Sequence, residues 1–295
     1  MEPHEAAELF RKPPTGFLDV GVGEVAHRVV GQGPDVLFVH GWPVSSATFR
    51  TLLPHLVDHV TCHLIDLPGA GTSRVAEGVP LSIDNHIVAV RRTLDLLDLD
   101  DVAVVGHDSG GMIARHAVVG DRRLRSLGLI DTEQTAGLSW KFRSFIAGRK
   151  LPGFGMALGW LAAQPRLRRS PLVLGDAFAD PALLDGEFDE FFLQPLRRSR
   201  THRLATMQLL RSFDYAHVDA LKAVHAELTV PVQLVWGELD KFFPVDWARA
   251  MVADFVDARL AVIPGAGLFS HEERPAEVAN ALLPVLTAPR ADSRP

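Results

Sequence analysis

The chain has 295 residues, 47% apolar and 22% charged, enough for one large folded domain and a smaller one. Its formal net charge of −6 argues against the basic surface that nucleic-acid binding requires. No run reaches the ~20 apolar residues of a membrane span, and residues 1–14 lack the apolar core of a secretory signal.

Cys62 is the only cysteine, which excludes an internal disulfide and a cysteine-based metal cluster. The histidines show no spacing typical of a metal site, so we expect neither a metal nor a cofactor. These features predict a soluble, cytoplasmic protein that acts on a small-molecule substrate. We expect no nucleic-acid or membrane partner, and a homodimer is left open.

Short apolar runs alternate with amphipathic helical stretches, a pattern typical of parallel βαβ units. Two early runs, Phe17–Gly21 and Glu24–Val30, predict an antiparallel hairpin that leads into the sheet. Helices are predicted over Ser46–Val57 and Ser82–Leu99. Core strands are predicted at Asp35–Val39, Val60–Leu67, Val102–Val105, Leu124–Ile130, Val232–Trp236 and Arg259–Ile263. The expected fold class is α/β, with a mostly parallel central sheet flanked by helices.

One long stretch interrupts this alternation. Residues 132–222 show only short helical pieces separated by Pro and Gly, and they are too many for a loop. We predict an inserted helical cap there, between core segments 15–131 and 223–289, with a disordered tail at 290–295. The arginine clusters of the cap are interpreted as solvated helix faces or, alternatively, as a site for an anionic substrate group. They comprise Arg166, Arg168, Arg169, Arg197, Arg198 and Arg200.

The segment GHDSGG joins a predicted buried strand to a helix through a turn of small residues. A nucleophile elbow holds its reactive residue on a strained turn, so the residues two before and two after it must be small. With Asp108 at the centre, Gly106 and Gly110 satisfy this rule. With Ser109 at the centre, the bulky His107 would violate it. The pattern therefore predicts Asp108 as the elbow residue.

Two further segments follow predicted core strands. In HGWP, after an early strand, the backbone N–H of Trp42 can pair with that of Ser109 to form an oxyanion hole. In GELDKFFP, after a late strand, Asp240 is suited to orienting a histidine. We expect Asp240 to face the site rather than to form a surface ion pair with Lys241.

Together, the HGWP, GHDSGG and GELDKFFP segments resemble the Asp-nucleophile branch of the α/β-hydrolase superfamily, over residues 17–287. This branch comprises the epoxide hydrolases and the haloalkane and haloacetate dehalogenases. The resemblance implies an α/β-hydrolase fold and a two-step reaction on a small epoxide or halogenated substrate. Asp108 would attack an electrophilic carbon and form an alkyl ester. A histidine paired with an acid would then activate water to hydrolyse that ester.

The sequence departs from that family at the histidine. In the loop PGAGLFSHEERP, Leu268 stands where the family has its histidine, and His271 follows three residues later. His271 is either the replacement base or a residue at the start of the last helices. Alternatively, Asp131 or Glu133 could hold the hydrolytic water. The remaining alternatives are a non-hydrolytic enzyme (isomerase, epimerase or lyase) and a catalytically silent ligand-binding member.

The leaving-group apparatus of the family is also incomplete. Epoxide hydrolases use two cap tyrosines, whereas Tyr215 is the only tyrosine here. The dehalogenases have Trp or Arg directly after the nucleophile, where this chain has Ser109. We expect the substrate pocket to include His40, Leu268, Trp140 and Tyr215.

Overall fold

The fold is described by a computed structural model over residues 1–149, 151 and 153–290. The strands are β1 (Gly16–Asp19), β2 (Gly23–Gly31), β3 (Asp35–Val39), β4 (Thr61–Asp66), β5 (Arg74–Val75), β6 (Val102–His107), β7 (Leu124–Ile130), β8 (Val232–Gly237) and β9 (Ala258–Ile263). Within the described residues they form one nine-stranded sheet in the order β1-β2-β4-β3-β6-β7-β8-β9, with β5 paired to β2. The predicted tail beyond Arg290 lies outside the described residues.

The α/β fold class is confirmed by the pairing of these strands. β1 and β2 form the predicted antiparallel hairpin, and β2 continues antiparallel to β4. All neighbours from β4 to β9 in the sheet order pair in parallel. Each predicted core strand is present, with ends that differ by at most two residues. The sequence interpretation missed β5, which has only two residues at the edge of the sheet.

The helices are α1 (Pro3–Arg11), α2 (Leu53–Leu56), α3 (Ile83–Leu96), α4 (Ser109–Val118), α5 (Trp140–Gly148), α6 (Phe154–Ala163), α7 (Pro165–Arg168), α8 (Gln194–Arg198), α9 (Arg200–Ser212), α10 (Tyr215–Asp219), α11 (Leu221–Glu227), α12 (Val245–Met251), α13 (Ser270–Glu273) and α14 (Pro275–Leu286). The predicted helix at Ser46–Val57 is divided into a 3-10 turn at Ser46–Thr51 and the short α2. Pro54 lies in the first turn of α2, where its missing N–H costs no helical hydrogen bond. The sequence interpretation did not include α1.

The sheet is covered on both faces, which explains why its parallel strands are almost continuously apolar. Alternate residues of β3 belong to different layers. Leu37 and Val39 lie in the apolar cluster that includes α3 and α4. Val36 and Phe38 lie in the cluster formed with α2 and α14. Among the described residues, no helix has the length and apolar character that crossing a membrane requires.

Between β7 and β8 the described chain contains helices α5–α11 and short turns but no strand. Arg168 is only 5% exposed and is paired with Asp185 and Asp189. Arg197 also contacts Asp189, at 2.6 Å. The interpretation of these clusters as solvated faces is therefore wrong for Arg168, because its guanidinium links separate turns of the cap.

The turn from β6 into α4 depends on glycine packing. A Cβ added to Gly110 would lie 2.3 Å from the carbonyl oxygen of His40 and 2.4 Å from that of Val39. We therefore expect Gly110→Ala to reduce the free energy of unfolding by about 1–3 kcal/mol through overpacking. Chemical denaturation measures this loss. Gly16→Ala is the matched control, since a Cβ there meets no atom within 4 Å. Equal stability of the two variants would contradict this packing role.

Candidate active site

Asp108 lies between β6 and α4 with φ +51° and ψ −136°, a backbone conformation that residues other than glycine rarely adopt. Hydrogen bonds and close packing with neighbouring residues stabilise this conformation. Its N–H donates to the carbonyl oxygens of Ile130 and Asp131. A Cβ on Gly41 would lie only 2.5 Å from the Asp108 Cβ, so this glycine allows the HGWP loop to approach the elbow. The turn thus has the strain and the small neighbours that the sequence predicts for a nucleophile elbow.

The two predicted oxyanion-hole residues both contact the carboxylate of Asp108. The Trp42 N–H donates to Asp108 Oδ2 at 2.7 Å. The Ser109 hydroxyl lies 3.4 Å from the same Oδ2. Within the described chain, Oδ1 has no hydrogen-bond donor. If Oδ1 formed an ester, Oδ2 would become the carbonyl oxygen and would already lie in the oxyanion hole.

The carboxylate of Asp108 lies at a narrow cavity beneath the cap, with about 40 Å³ of water-accessible volume, enough for a water molecule. Its wall is largely apolar and aromatic, and comprises Trp42, Ile83, Ser109, Glu133, Phe142, Phe145, Ile146, Leu209, Leu210 and Phe213. The Trp42 indole links core and cap, because its Nε1 donates to the Thr206 carbonyl at 2.9 Å. None of the described residues on this wall is a lysine or an arginine.

Glu133 is the second carboxyl group at this cavity, and it is fully buried. Its Oε2 lies 3.0 Å from the Thr132 hydroxyl, whereas Oε1 is buried without any partner. Burial, and then the negative charge of Glu133, raise the pKa of Asp108 well above its usual range. Burial also raises the pKa of Glu133, although the positive charge of Arg115 opposes this. The negative charge of an ionised Glu133 therefore disfavours ionisation of Asp108.

The Arg115 guanidinium is the buried positive charge beside this pair. It donates to the Glu133 carbonyl at 2.8 Å, to the Thr132 hydroxyl at 3.0 Å and to His225 Nε2 at 2.9 Å. Burial lowers its pKa to about 10, so it stays charged at neutral pH. Its hydrogen bond to Glu133 is with the backbone carbonyl, so Arg115 acts on the Glu133 carboxyl group through its charge.

Asp240 follows β8 and is only 6% exposed. Its Oδ1 accepts the N–H groups of Phe242 and Phe243 at 2.7 and 3.0 Å. Its Oδ2 is buried without a partner, and burial raises the pKa of Asp240 to about 7. Lys241 pairs with Asp176 instead, at 2.7 Å, so the structure contains no ion pair between Asp240 and Lys241. The carboxylate thus has an open acceptor of the kind that a histidine would fill.

Asp131, at the end of β7, differs from Asp240 because both of its oxygens are bonded. Oδ1 accepts the Gly237 N–H at 2.7 Å, and Oδ2 accepts the Ser270 hydroxyl. Burial, and secondly the charge of Asp240, raise the pKa of Asp131 well above its usual range. With these bonds, Asp131 connects β7 to β8 and to α13 rather than offering a free oxygen to water.

The structure does not bring His271 to either carboxylate. His271 is fully buried in α13, where its Nε2 lies 2.8 Å from the Thr48 hydroxyl and its ring contacts that of His107 edge-on. Within the described residues, no hydrogen bond joins His271 to Asp108 or Asp240. Burial lowers the pKa of His271 well below its usual range, so the ring is neutral. These contacts match the alternative in which His271 is a structural residue at a helix start.

The other predicted pocket residues are not among those that line the cavity at Asp108. Leu268 is buried, and its carbonyl accepts His107 Nε2 at 3.0 Å. His40 lines an adjacent cavity, and both of its ring nitrogens are hydrogen-bonded, to Gly41 and Leu67. Burial lowers the pKa of His40, which fits a neutral residue of the wall.

Trp140 and Tyr215 are 76% and 45% exposed, and neither lines the two cavities beside Asp108. Trp140 begins α5 on the side opposite Phe142 and Ile146, which face the cavity. Helical spacing within α5 could have revealed this inner face, because Phe142, Phe145 and Ile146 recur at intervals of three and four residues.

Asp240 makes the stability of the protein depend on pH. Its folded-state pKa of about 7 exceeds the value of about 3.9 for an unfolded aspartate. The folded state therefore keeps a proton that the unfolded state loses, and stability falls as pH rises from about 4 to about 7. Asp240→Asn keeps the Oδ1 acceptor and removes this titration. We expect its melting temperature, relative to the unmodified protein, to rise from pH ~5 to pH ~7 and to level off above pH ~8.

Asp246→Asn is the matched control, because Asp246 has an exposed side chain in α12. Thermal melts of both variants across this pH range provide the measurement. If the difference in melting temperature between Asp240→Asn and the unmodified protein stays constant with pH, Asp240 is ionised throughout this range.

Comparisons with known proteins agree with the fold. The family model "Alpha/beta hydrolase family" matches residues 36–281. A pimeloyl-[acyl-carrier protein] methyl ester esterase of Xanthomonas campestris is 24% identical over 263 residues, 88% of this chain and 98% of that protein. The uncharacterized hydrolase YugF of Bacillus subtilis is 24% identical over 238 residues, 80% of this chain and 84% of that protein.

Solved structures give the same fold. An alpha/beta hydrolase fold protein from Burkholderia ambifaria superposes with a TM-score of 0.77 at 23% identity, over 92% of this chain and 98% of that one. The epoxide hydrolase CorEH superposes with a TM-score of 0.76 at 21% identity, over 92% and 97%. The family model covers well over half of the chain, and the mostly parallel sheet flanked by helices is that of this fold. The chain therefore belongs to the alpha/beta hydrolase family and is an enzyme of that superfamily.

Proposed function

We propose that this enzyme uses Asp108 as a nucleophile toward a small, uncharged, apolar epoxide or halogenated substrate. The observation that carries the proposal is the hydrogen bonding of the Asp108 carboxylate. Oδ2 is held by the Trp42 N–H at 2.7 Å, while Oδ1 is unbonded at an apolar cavity. Attack by Oδ1 on carbon forms an alkyl ester whose carbonyl oxygen is already stabilised by the oxyanion hole. Water then hydrolyses the ester.

The same contacts favour Asp108 over Ser109 as the nucleophile. Ser109 is the first residue of α4, and its hydroxyl lies against Asp108 Oδ2 at 3.4 Å. A serine needs a base to remove its proton, and in the described chain no histidine is hydrogen-bonded to this hydroxyl. A carboxylate needs no such activation once it is ionised.

The cavity favours an uncharged substrate. Its described wall contains no lysine or arginine to pair with an anionic group. The Trp42 indole N–H, a donor that could otherwise hold a halide, is already bonded to the Thr206 carbonyl at 2.9 Å. A released halide would thus lack a charged or N–H side-chain partner there, which favours an epoxide over a haloalkane.

A second candidate is a non-hydrolytic enzyme that moves a proton on its substrate. The pairing of Asp108 with Glu133 in one cavity favours it, because two neighbouring carboxyl groups can act as acid and base. The two candidates differ in whether carbon becomes bonded to Asp108.

Incubation with a panel of small epoxides and bromoalkanes tests the proposal. We expect intact-protein mass spectrometry to detect one added alkyl group, and peptide mapping to assign it to Asp108. Asp108→Asn should give no adduct, because an amide is a poor nucleophile. Absence of both adduct and product in the unmodified protein would reject Asp108 as a nucleophile and leave proton transfer as the function.

Leu268→His tests the missing histidine. Asp240 Oδ2 has no partner, so an imidazole at the family's position can bond to it and act as a base. We expect ester hydrolysis to become ~100-fold faster, the lower end of general-base effects. Leu268→Asn is the control, since it adds polarity without a base. The rates are measured by decay of the adduct. Equal rates for the two variants would contradict the expectation that a histidine at position 268 bonds to Asp240 and acts as the base.

A further inference from the structure

A nucleophile and an oxyanion hole do not by themselves explain why the Glu133 carboxyl group is buried at the site. It is fully buried and faces the same cavity as Asp108, yet its Oε1 has no hydrogen-bond partner. Buried acceptors without a partner are few in folded proteins, and a catalytic role or a bound water is among their explanations.

The other buried acids near the site do not combine a place on the cavity wall with an oxygen that lacks a hydrogen-bond partner. Asp131 has both oxygens bonded, and Asp240 is not among the residues that line the cavity. His271 is bonded to Thr48 and is not among the residues that line the cavity. Of the described residues on the cavity wall, Glu133 is the one carboxyl group beside Asp108.

We propose that Asp108 and Glu133 share one proton, and that Glu133 serves first as the acid and then as the base of the reaction. This inference rests on the proposed function of Asp108. A protonated Glu133 supplies the proton that an epoxide oxygen needs, and an ionised Glu133 accepts the proton of the hydrolytic water. One side chain thereby takes over the roles of the absent cap tyrosine pair and of the absent histidine.

The shared proton can lie on either carboxyl group, and the reactive form is the one with Asp108 ionised and Glu133 protonated. A bond forms between Asp108 Oδ1 and an epoxide carbon, the ring C–O bond breaks, and the Glu133 proton passes to the ring oxygen. The site then holds a hydroxyalkyl ester on Asp108 and an ionised Glu133. The positive charge of Arg115, bonded to the Glu133 backbone, helps to stabilise that carboxylate.

Hydrolysis returns the site to its starting state. Water attacks Asp108 Cγ and gives one proton to Glu133, while the Trp42 N–H and the Ser109 hydroxyl stabilise the negative charge on Oδ2. The bond between Cγ and Oδ1 then breaks, and the leaving diol oxygen takes the proton from Glu133. Asp108 is left as a carboxylic acid and passes its proton back to Glu133. A diol leaves, and no net proton is gained or lost.

The test compares Glu133→Gln with the unmodified enzyme on an aryl epoxide and on a small bromoalkane, by time-resolved mass spectrometry and product assay. Gln preserves the shape of Glu133 but carries no titratable proton. We expect epoxide opening to slow ~100-fold or more. A bromoalkane needs no acid to leave, so it should still alkylate Asp108, and the ester should then accumulate because hydrolysis lacks its base.

Two further readouts separate proton transfer from a merely structural role. Alkylation by the bromoalkane should persist to lower pH in Glu133→Gln, because loss of the neighbouring negative charge makes Asp108 easier to ionise. Glu133→Asp, which keeps a carboxyl group, should recover part of the lost hydrolysis. Glu272→Gln is the matched control, since Glu272 is also buried but pairs with Arg50 and Thr48. Its reaction rates should be those of the unmodified enzyme.

The outcomes distinguish this inference from the proposed function. Turnover by Glu133→Gln at the unmodified rate would overturn the role of Glu133 and leave Asp108 as the nucleophile. Loss of bromoalkane alkylation in Glu133→Gln at unchanged melting temperature would also overturn it, because alkylation by itself needs no acid. Absence of adduct and product in every variant would overturn both.

Discussion

The burial of carboxyl groups at the carboxyl ends of β6, β7 and β8 is the constraint on which the site depends. A carboxylate in an apolar environment must be hydrogen-bonded, paired or protonated. Asp131 is stabilised by two hydrogen bonds, and Asp108 Oδ2 is stabilised by the Trp42 N–H. Asp240 and Glu133 each retain one oxygen without a partner. Asp131 is therefore fixed in place, whereas Asp108, Asp240 and Glu133 each keep an oxygen that can exchange a proton or accept a new donor.

The strained turn at Asp108 is maintained by packing that allows no larger side chains. Gly41 and Gly110 have no room for a Cβ, because the HGWP loop and the start of α4 approach each other at the elbow. The cap then covers the carboxylate with aromatic side chains of α5, and Trp42 bonds α9 through its indole. Exclusion of water by these contacts raises the pKa of Asp108. The glycine packing that maintains the turn thus also keeps the Asp108 carboxylate in the environment that raises its pKa.

Much of the fold could be predicted from the sequence, because buried parallel strands produce apolar runs of a recognisable length. β3 and β7 have the predicted ends, and the elbow follows from the small residues around Asp108. The contacts of His271 with Thr48 could not be predicted, because they join residues far apart in the chain. The exposure of Trp140 depends on how α5 is rotated, which composition alone does not determine.

The role of Glu133 likewise became visible only in three dimensions. The sequence placed it after a core strand as one alternative holder of water, with no means to rank it above Asp131. Hydrogen bonding separates the two, since both oxygens of Asp131 are occupied while Glu133 Oε1 is not. Sequence patterns identify which carboxyl groups meet at a sheet edge. Whether each carboxyl oxygen has a hydrogen-bond partner depends on its neighbours in the fold.

A single-turnover reaction in H₂¹⁸O, with enzyme in excess over an epoxide, tests the central claim most directly. If Asp108 forms an ester, the diol released first takes its new oxygen from Asp108 Oδ1 and contains no label. The ¹⁸O is then found in the Asp108 carboxylate by peptide mass spectrometry. A diol that carries ¹⁸O in this first turnover, with Asp108 unlabelled, would mean that water attacks the substrate directly and that Asp108 is not the nucleophile.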